Sequence, residues 1–271
     1  MNQPWWKSTP IMDMATTITA IPRPTSPCIT TITKAIANGH TVKAWLEPER
    51  LEQGYVIVLP GIEGHSLLNR GIAAGLVDAG LPYGVEIYDW TEGPLWAVYN
   101  LRSRKLHARQ AAIIRDKILS YRRQYPGRPV YLVGHSGGGA LSLLTAESLP
   151  EGSGVTGIVL IVPAISPRYP LHAALAKVDR GIWNYRSYGD CVYLGALTTL
   201  FGTVDGRHVP AAGAVGFSKP LDPRVHEIPF EISMLRDWNT GGHLTCTNRT
   251  FVRKWIAPIL TPVMKPAERR A

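Results

Sequence analysis

Cysteine is scarce in this sequence, and the spacings by which cysteine and histidine usually bind metals are missing. The 271 residues contain only Cys28, Cys191 and Cys246. This odd number at wide intervals excludes a disulfide framework and a C-x-x-C motif. None of the eight histidines belongs to an H-x-x-x-H or H-E-x-x-H pattern. The sequence therefore predicts reduced thiols, no metal and no cofactor.

Long apolar runs are also missing. No stretch of 18 apolar residues occurs that could span a bilayer. Residues 1–28 contain one lysine and no clean apolar segment before a small-residue cleavage site, so we predict no secretory signal and a cytoplasmic protein. The same residues are rich in Pro, Ser and Thr without periodicity, which predicts a partly disordered arm. Residues 29–271 are predicted to form one domain.

Acidic residues are outnumbered, 20 against 29 Lys and Arg, which gives a formal charge of +9. Such a charge favours acidic partners in general. The basic residues are scattered, however, with local concentrations only at 102–105, 122–123 and 265–270, and no aromatic-studded basic motif accompanies them. We therefore expect a solvated surface and no nucleic-acid partner. The sequence does not indicate an oligomeric state.

Continuous apolar runs alternate with helical patterns through the middle of the chain. The runs GYVIVLPG, PYGVEIYDW, PVYLVGHS and VTGIVLIVPAI are typical of parallel strands that are buried on both faces. Helical spacing separates them at 67–79, 111–125 and 139–149. This order predicts an α/β fold with a mostly parallel central sheet and helices on both faces. Its ligand site is then expected beyond the carboxyl ends of the strands.

The two flanks of this pattern are less regular. ITTITKAI (29–36) and HTVKAWLEP (40–48) alternate polar and apolar residues around Asn38-Gly39, which predicts an antiparallel strand pair at a sheet edge. Toward the other end we predict short strands at 181–187 and 230–235 and a closing helix at 250–260.

The connection between two of the late strands is short. Only about fifteen residues, 166–180, lie between the strand ending in VPAI and the next predicted strand. By ordinary loop lengths this predicts a small cap and an open site.

The segment Gly134-His135-Ser136-Gly137-Gly138 joins a buried strand to a helix that begins GGALSLLTAESL. This is G-x-S-x-G in the context that a nucleophile elbow requires, where flanking glycines are needed because a Cβ would collide with neighbouring backbone. The helix N-terminus offers free N–H groups where an oxyanion would form. The alternatives are an incidental serine in a Gly-rich turn and a phosphate loop, but the G-x-x-x-x-G-K-[ST] pattern is absent.

With these residues the chain resembles the α/β-hydrolase superfamily over most of residues 54–260. The elbow GHSGGG resembles that of lipases and esterases. LPGIEG after the first buried strand resembles the oxyanion loop, with Pro60 where many members have a histidine. The resemblance implies that the N–H groups of Ile62 and Gly137 bind the oxyanion. The alternative is that Pro60-Gly61 forms only a tight turn.

The same resemblance implies an acid and a histidine after the nucleophile, in that order. His243 lies in a Gly-rich loop, TGGHL, before the closing helix, which suits a general base for a serine hydroxyl. Asp190, in WNYRSYGD, resembles the family's acid, and Asp205, in an Asp-Gly turn, is the alternative. The full set of candidate acids is Asp179, Asp190, Asp205, Asp222 and Asp237.

Further residues are predicted to lie at the rim of the site without performing chemistry. Glu63 and His65 follow the oxyanion loop, and Trp90 ends the next strand, so these three are candidates for substrate-lining residues. A packed aromatic is the alternative for Trp90. His135, beside the nucleophile, is expected to pack beneath the elbow and not to act as the base.

Taken together, these residues predict a serine hydrolase that cleaves a carboxylic ester, which could be a small molecule or a lipid, through an acyl-enzyme on Ser136. Two alternatives stay open. An acyltransferase would use the same triad with an acceptor other than water, and a non-catalytic binding module would keep only the scaffold. The sequence does not separate hydrolase from acyltransferase and does not give the acyl chain length.

Overall fold

The computed structural model describes residues 41–190, 194–195, 198–219 and 221–261. Within them one seven-stranded sheet has the order β1-β3-β2-β4-β5-β6-β7, and all neighbours except β1 and β3 are parallel. The strands are β1 (Thr41–Trp45), β2 (Tyr55–Leu59), β3 (Gly84–Tyr88), β4 (Val130–His135), β5 (Val155–Ile161), β6 (Val178–Arg186) and β7 (Val225–Pro229).

Helices cover the sheet and carry the chain from strand to strand. The α-helices are α1 (Pro48–Leu51), α2 (Leu67–Asp78), α3 (Ala97–Arg102), α4 (Arg104–Gln124), α5 (Gly137–Glu147), α6 (His172–Leu175), α7 (Thr198–Phe201) and α8 (Ala212–Val215). A final helical run comprises α9 (Arg249–Phe251), a π-helical turn (Val252–Ile256) and α10 (Ala257–Leu260). Short 3₁₀ helices occupy Pro94–Trp96, Ile232–Asp237 and Thr245–Thr247.

The continuous apolar runs form the centre of the sheet, as predicted. Every residue of β2, β3 and β4 is buried, because helices lie on both faces of these strands. α5 is buried along most of its length, as expected for the helix that follows a central strand. The predicted α/β class with a mostly parallel sheet is confirmed.

The edge of the sheet differs in part from the expected hairpin. β1 lies within the predicted segment 40–48 and is antiparallel, but its described partner is β3, with Trp45 opposite Val85. The other predicted strand, 29–36, and the arm at 1–28 lie outside the described residues. What the structure describes is therefore a single antiparallel edge strand.

The predicted strand at 230–235 is wrong. The last strand, β7, begins five residues earlier, with Val225 opposite Ile182 of β6, and residues 232–237 form a 3₁₀ helix. Of the apolar side chains in FEISML only Met234 is buried, whereas Ile232 and Leu235 are exposed. An alternating strand would have buried one face, so the apparent alternation in this segment does not reflect sheet pairing.

The connections at the carboxyl end of the sheet differ in length. The stretch between β5 and β6 is short, as predicted, and contains only α6. The longer insertion follows β6, between residues 186 and 225, and it includes α7 and α8. Backbone bonds join α8 to the end of β5, since Gly213 N–H donates to Pro163 O at 3.0 Å. The insertion thus lies beside the end of the central strands.

The final helical run is anchored to α2. The Arg249 guanidinium, at the start of the run, forms an ion pair with Asp78 at the end of α2, with one N–H donating to Oδ1 at 2.6 Å. This contact fixes the chain just after the loop that carries His243. Within the described part of the chain, no helix is both long and apolar enough to cross a bilayer.

Candidate active site

Ser136 occupies a sharp turn between β4 and α5. Its backbone has φ 51° and ψ −118°, a region that non-glycine residues rarely adopt and that is usually held in place by surrounding contacts. Its N–H donates to Ile161 O, and its carbonyl accepts from the N–H of Gly139 and of Ala164, all at 3.0 Å. These bonds fix the serine at the end of the strands with only 5% of its surface exposed.

The flanking glycines are required by close backbone contacts. A Cβ at Gly134 would lie 2.3 Å from Gly138 O, and a Cβ at Gly138 would lie 2.3 Å from Leu59 O and Pro60 O. Real Cβ atoms do not approach oxygen atoms so closely. The motif G-x-S-x-G therefore reflects the packing of the first turn of α5 against β2 and β4, as the sequence analysis predicted.

The loop after β2 lies against this elbow. A Cβ at Gly137 would meet Ile62 Cγ2 at 2.8 Å and the Trp90 ring at 3.2 Å, so Ile62 and Gly137, the two predicted oxyanion residues, are neighbours. Gly64 N–H donates to Gly61 O at 3.1 Å, which closes the tight turn. The Pro60-Gly61 segment is thus a turn that also packs against the glycines that follow Ser136.

His243 is brought to Asp190 from 53 residues away. The His243 Nδ1 and an Asp190 carboxylate oxygen form a direct hydrogen bond, and both side chains are buried. The Asp190 carboxylate also accepts from Leu194 N–H at 3.3 Å. Of the five candidate acids, Asp190 is the one that the structure places against the histidine.

The two loops that carry this pair are joined to each other. The Ser187 hydroxyl donates to Gly241 O, and Asn239 Oδ1 accepts from Gly241 N–H at 3.0 Å. A Cβ at Gly189 would lie 2.8 Å from Gly241 O. Sequence reasoning missed Ser187 and Asn239, because no local pattern shows that segments 50 residues apart share hydrogen bonds.

Burial lowers the pKa of His243 below its ordinary value of 6.5, and the charge of His135 acts in the same direction. The hydrogen bond and charge of Asp190, and more weakly the charge of Glu63, raise the pKa but do not outweigh burial. The imidazole is therefore neutral at pH 7, which is the form that can accept a proton.

A second histidine lies against the first. The rings of His135 and His243 are 4.9 Å apart between centroids, and His135 Nε2 is 3.1 Å from His243 O. On the other side, His135 Nδ1 is 3.8 Å from Glu63 Oε1, which is within ion-pair range but too long for a hydrogen bond. His135 thus packs beneath the elbow, as expected, and connects Glu63 to the loop of His243.

Glu63 has a low pKa although it is partly buried. Burial opposes ionisation of this carboxyl, but the neighbouring His135 and, more weakly, His243 hold its pKa below the ordinary value of 4.5. A negative charge therefore lies beside the histidine pair. The sequence predicts Glu63 at the rim of the site but does not indicate this contact with His135.

Asp205, the alternative acid, closes a different loop. Its carboxylate accepts from Ser166 N–H at 3.0 Å and from the Thr203 hydroxyl, and Thr203 N–H donates to Arg207 O across the turn. These bonds match the turn-forming aspartate that was its alternative interpretation. Of the other candidates, Asp222 binds Arg224 and Asp237 binds Lys254 and Trp255.

The remaining rim candidates have different positions. His65 is exposed, and its N–H donates to Asp89 Oδ2 at 2.9 Å. Trp90 is fully buried and donates its indole N–H to Pro60 O at 2.8 Å. The predicted contact of Trp90 with a substrate does not agree with this burial. Its indole is a packed aromatic that holds the loop after β2 through Pro60.

Cys246 lies close to the histidine. Its thiol is buried and donates to His243 O at 3.1 Å, and burial raises its pKa well above the ordinary range. A buried, protonated thiol is inert, so Cys246 serves to position the loop. Cys28 and Cys191 lie outside the described residues. Among the described residues, no three His, Cys, Asp or Glu side chains are grouped so that they could hold a metal ion.

Comparison with known proteins gives one short sequence match and several structures with a similar architecture. No protein-family model matches the chain. A segment of 46 residues is 48% identical to the human monoglyceride lipase, and it spans 17% of this chain and 14% of that lipase. The match therefore covers only a small part of that lipase.

Three of the solved structures illustrate the architectural likeness. Esterase PE8 is 15% identical over 75% of this chain and 91% of that chain, with a TM-score of 0.45. A putative esterase from Staphylococcus aureus is 9% identical over 82% and 80%, with a TM-score of 0.47. A dienelactone hydrolase from Anabaena variabilis is 20% identical over 76% and 84%, with a TM-score of 0.44. The activities named are those of the other proteins.

Proposed function

We propose that this chain, which has the α/β-hydrolase fold, is a serine hydrolase that cleaves carboxylic esters through an acyl-enzyme on Ser136. The observation that carries the proposal is the buried His243–Asp190 pair, whose histidine ring lies 4.9 Å between centroids from the ring of His135, the residue that precedes Ser136. A strained serine follows β4, and a buried His243–Asp190 pair follows β7 and β6. This set of residue types, in this chain order and on this scaffold, supports a catalytic triad.

In the proposed mechanism His243 removes the proton from the Ser136 hydroxyl as the serine attacks the ester carbonyl. The Asp190 carboxylate accepts a hydrogen bond from Nδ1–H of His243, which leaves Nε2 as the proton acceptor and stabilises the imidazolium that forms. The alcohol then leaves with the proton from His243. Water, deprotonated by the same imidazole, releases the acyl group as a carboxylate.

The oxyanion of each tetrahedral intermediate is bound by the N–H groups of Ile62 and Gly137. The support for this pair is their contact across the elbow and the position of Gly137 as the first residue of α5. The N-terminus of this eleven-residue helix adds a partial positive charge. Each donor of this kind is worth about 3 kcal/mol of barrier.

An ester is the favoured substrate class. The elbow resembles that of esterases and lipases, and the proteins that share short sequence or architectural likeness include a monoglyceride lipase and esterases. Glu63 and His65 remain candidates for residues that contact the substrate, because both lie in the segment that follows the oxyanion loop.

The proposal is tested by labelling the chain with a fluorophosphonate probe and by assaying p-nitrophenyl esters from acetate to palmitate. We expect labelling and turnover in the wild type and neither in Ser136→Ala. Ser142→Ala is the matched control, because Ser142 is a buried serine of the same helix whose hydroxyl donates to Gly138 O. Equal labelling of the wild type and Ser136→Ala would overturn the proposal.

A further inference from the structure

Exposed apolar side chains are concentrated at the end of the molecule that carries Ser136. Among the described residues, fourteen of the fifteen large apolar side chains that are exposed lie in segments that follow or cross the carboxyl ends of the strands. The exception is Ile113, in the middle of α4. Scattered exposed apolar residues need no explanation, but a concentration on one face marks an interaction surface.

The first group, the 95–99 patch, follows β3. It comprises Leu95, Trp96, Val98 and Tyr99, and Leu95 is 96% exposed and Trp96 60%. The Trp96 and Tyr99 rings contact each other edge to face with centroids 6.2 Å apart, and the two residues are 60% and 45% exposed. A tryptophan and a tyrosine that protrude together are typical of residues at the boundary between an apolar phase and water.

The second group, the 232–238 patch, follows β7 and precedes the loop of His243. It comprises Ile232, Leu235 and Trp238, of which Ile232 is 80% and Trp238 70% exposed. Trp238 has φ 65° and ends the 3₁₀ helix in the left-handed conformation, where glycine or asparagine is usual. The left-handed backbone of a residue that has a Cβ costs about 1 kcal/mol relative to the right-handed conformation. The cost is consistent with a contact made outside the chain.

The strands that lead into the two patches lie on opposite sides of β4, the strand that leads to Ser136. β3 is two strands and β7 three strands from β4 in the sheet order. Neighbouring strands are about 4.8 Å apart, so the patches follow strands at about 10 Å and 14 Å on either side of the strand that leads to Ser136. Leu244, beside the buried His243 in the chain, is 45% exposed.

We infer that this face, formed by the 95–99 and 232–238 patches, docks on a lipid bilayer that carries anionic headgroups. Exposed Arg102, Arg104 and Lys105 directly follow the first patch, and the whole chain has a formal charge of +9. Cationic side chains beside inserted aromatic residues are attracted to anionic headgroups.

A lipid surface fits this face better than a protein partner does. A protein seated across both patches would cover Ser136, whereas a bilayer would present esters to it. This argument rests on the proposed function. The docking itself does not require catalysis, so binding and hydrolysis can be measured separately.

The experiment measures binding to vesicles of phosphatidylcholine with and without phosphatidylglycerol, in a Ser136→Ala background so that no lipid is hydrolysed. Binding is followed by sedimentation and by quenching of tryptophan fluorescence with lipids brominated in the acyl chain. We expect binding that is stronger with phosphatidylglycerol and weaker at high salt. Adding Trp96→Ala and Trp238→Ala should lower the partition coefficient about tenfold or more and reduce the quenching.

Ile113→Ala is the matched control, since it removes an exposed aliphatic side chain from outside the face. It should leave binding unchanged. In chains that retain Ser136, the Trp96→Ala/Trp238→Ala variant should hydrolyse p-nitrophenyl acetate like the wild type, which also shows that it folds.

Two results would overturn the inference: no vesicle binding by the parent chain, or equal binding by the parent and the double tryptophan variant. If instead the parent chain is a dimer in analytical ultracentrifugation, the double tryptophan variant is a monomer and neither binds vesicles, the face is an interface between copies of this chain. Vesicle binding by the Ser136→Ala chain, together with a folded wild-type chain that no fluorophosphonate labels, would keep the docking inference and refute the proposed hydrolase.

Discussion

The candidate triad is buried, whereas the rim of the site, formed by the 95–99 and 232–238 patches, is exposed. Ser136, Asp190 and His243 are each less than a tenth exposed and are held by contacts from distant parts of the chain. A few strands away, Trp96 and Trp238 stand mostly exposed. Burial lowers the pKa of His243 and fixes Asp190 beside it, as a proton acceptor requires. Exposure leaves the apolar side chains of the rim free to contact a surface outside the chain. Substitutions in the two regions should therefore affect different measurements.

The largest expected difference is in kcat, between a substitution of His243 and a substitution in the exposed rim. His243→Ala should lower kcat for a soluble ester about 10⁵-fold, because the serine loses its proton acceptor. Trp238→Ala should leave kcat within about twofold, because the exposed indole plays no part in acyl transfer. Steady-state assays with p-nitrophenyl acetate compare the two. A similar loss in both variants would remove the distinction between the regions.

The next largest expected difference in kcat is between substitutions of Asp190 and Asp205, two aspartates that both follow β6. Asp190→Asn should lower kcat about 10⁴-fold, because the amide no longer favours the correct tautomer and charge of His243. Asp205→Asn, which disturbs only the bonds to Ser166 and Thr203, should change kcat about threefold or less. The same assay measures both, and the assignment of Asp190 fails if Asp205→Asn proves the more damaging change.

A third effect concerns stability. Gly138→Ala places a methyl group 2.3 Å from two carbonyl oxygens of the β2 loop and should lower the free energy of unfolding by about 3 kcal/mol or more. Gly93→Ala, beside the 95–99 patch, has φ 97° but no atom within 4 Å of the added methyl, so it should lose only about 1 kcal/mol. Urea unfolding followed by circular dichroism measures both. Equal losses would mean that the elbow is no more tightly packed than the rim.

The smallest effect is on the pH profile. Because burial lowers the pKa of His243 below 6.5, the midpoint of the acid-side decline of kcat/KM, where the imidazole becomes protonated, should lie below pH 6.5. Glu63→Gln removes a negative charge that raises this pKa, so the decline should move to still lower pH.

Glu92→Gln is the control for the pH profile, since Glu92 is an exposed carboxylate that pairs with Arg109. It should leave the profile in place. A shift of the decline to higher pH in Glu63→Gln would contradict the electrostatic role given to Glu63.

Much of the sheet and the elbow could be predicted because their signals are local. The apolar runs of β2 to β5 and the glycines around Ser136 are dictated by burial and by collisions with backbone a few residues or one strand away. The strand at 230–235 was wrong because alternation alone does not show which segment pairs with β6.

The other features of the candidate site depend on contacts between distant segments of the chain. No pattern in the sequence shows that Ser187 bonds to Gly241, or that His135 lies between Glu63 and the loop of His243. The choice between Asp190 and Asp205 likewise required the fold, because both precede the histidine and both sit in turns. The exposed Trp238 could not be foreseen either, since no pattern in the sequence indicates that it ends a 3₁₀ helix in the left-handed conformation.

The central claim, that Ser136 is the nucleophile, is tested most directly by mapping the site of a covalent adduct. The wild-type chain is treated with a fluorophosphonate and digested with trypsin, and the peptides are sequenced by mass spectrometry. We predict one adduct, on Ser136 within the peptide 124–168, and a large drop in its yield in His243→Ala. An adduct on another residue, or none on a folded chain, would contradict the account.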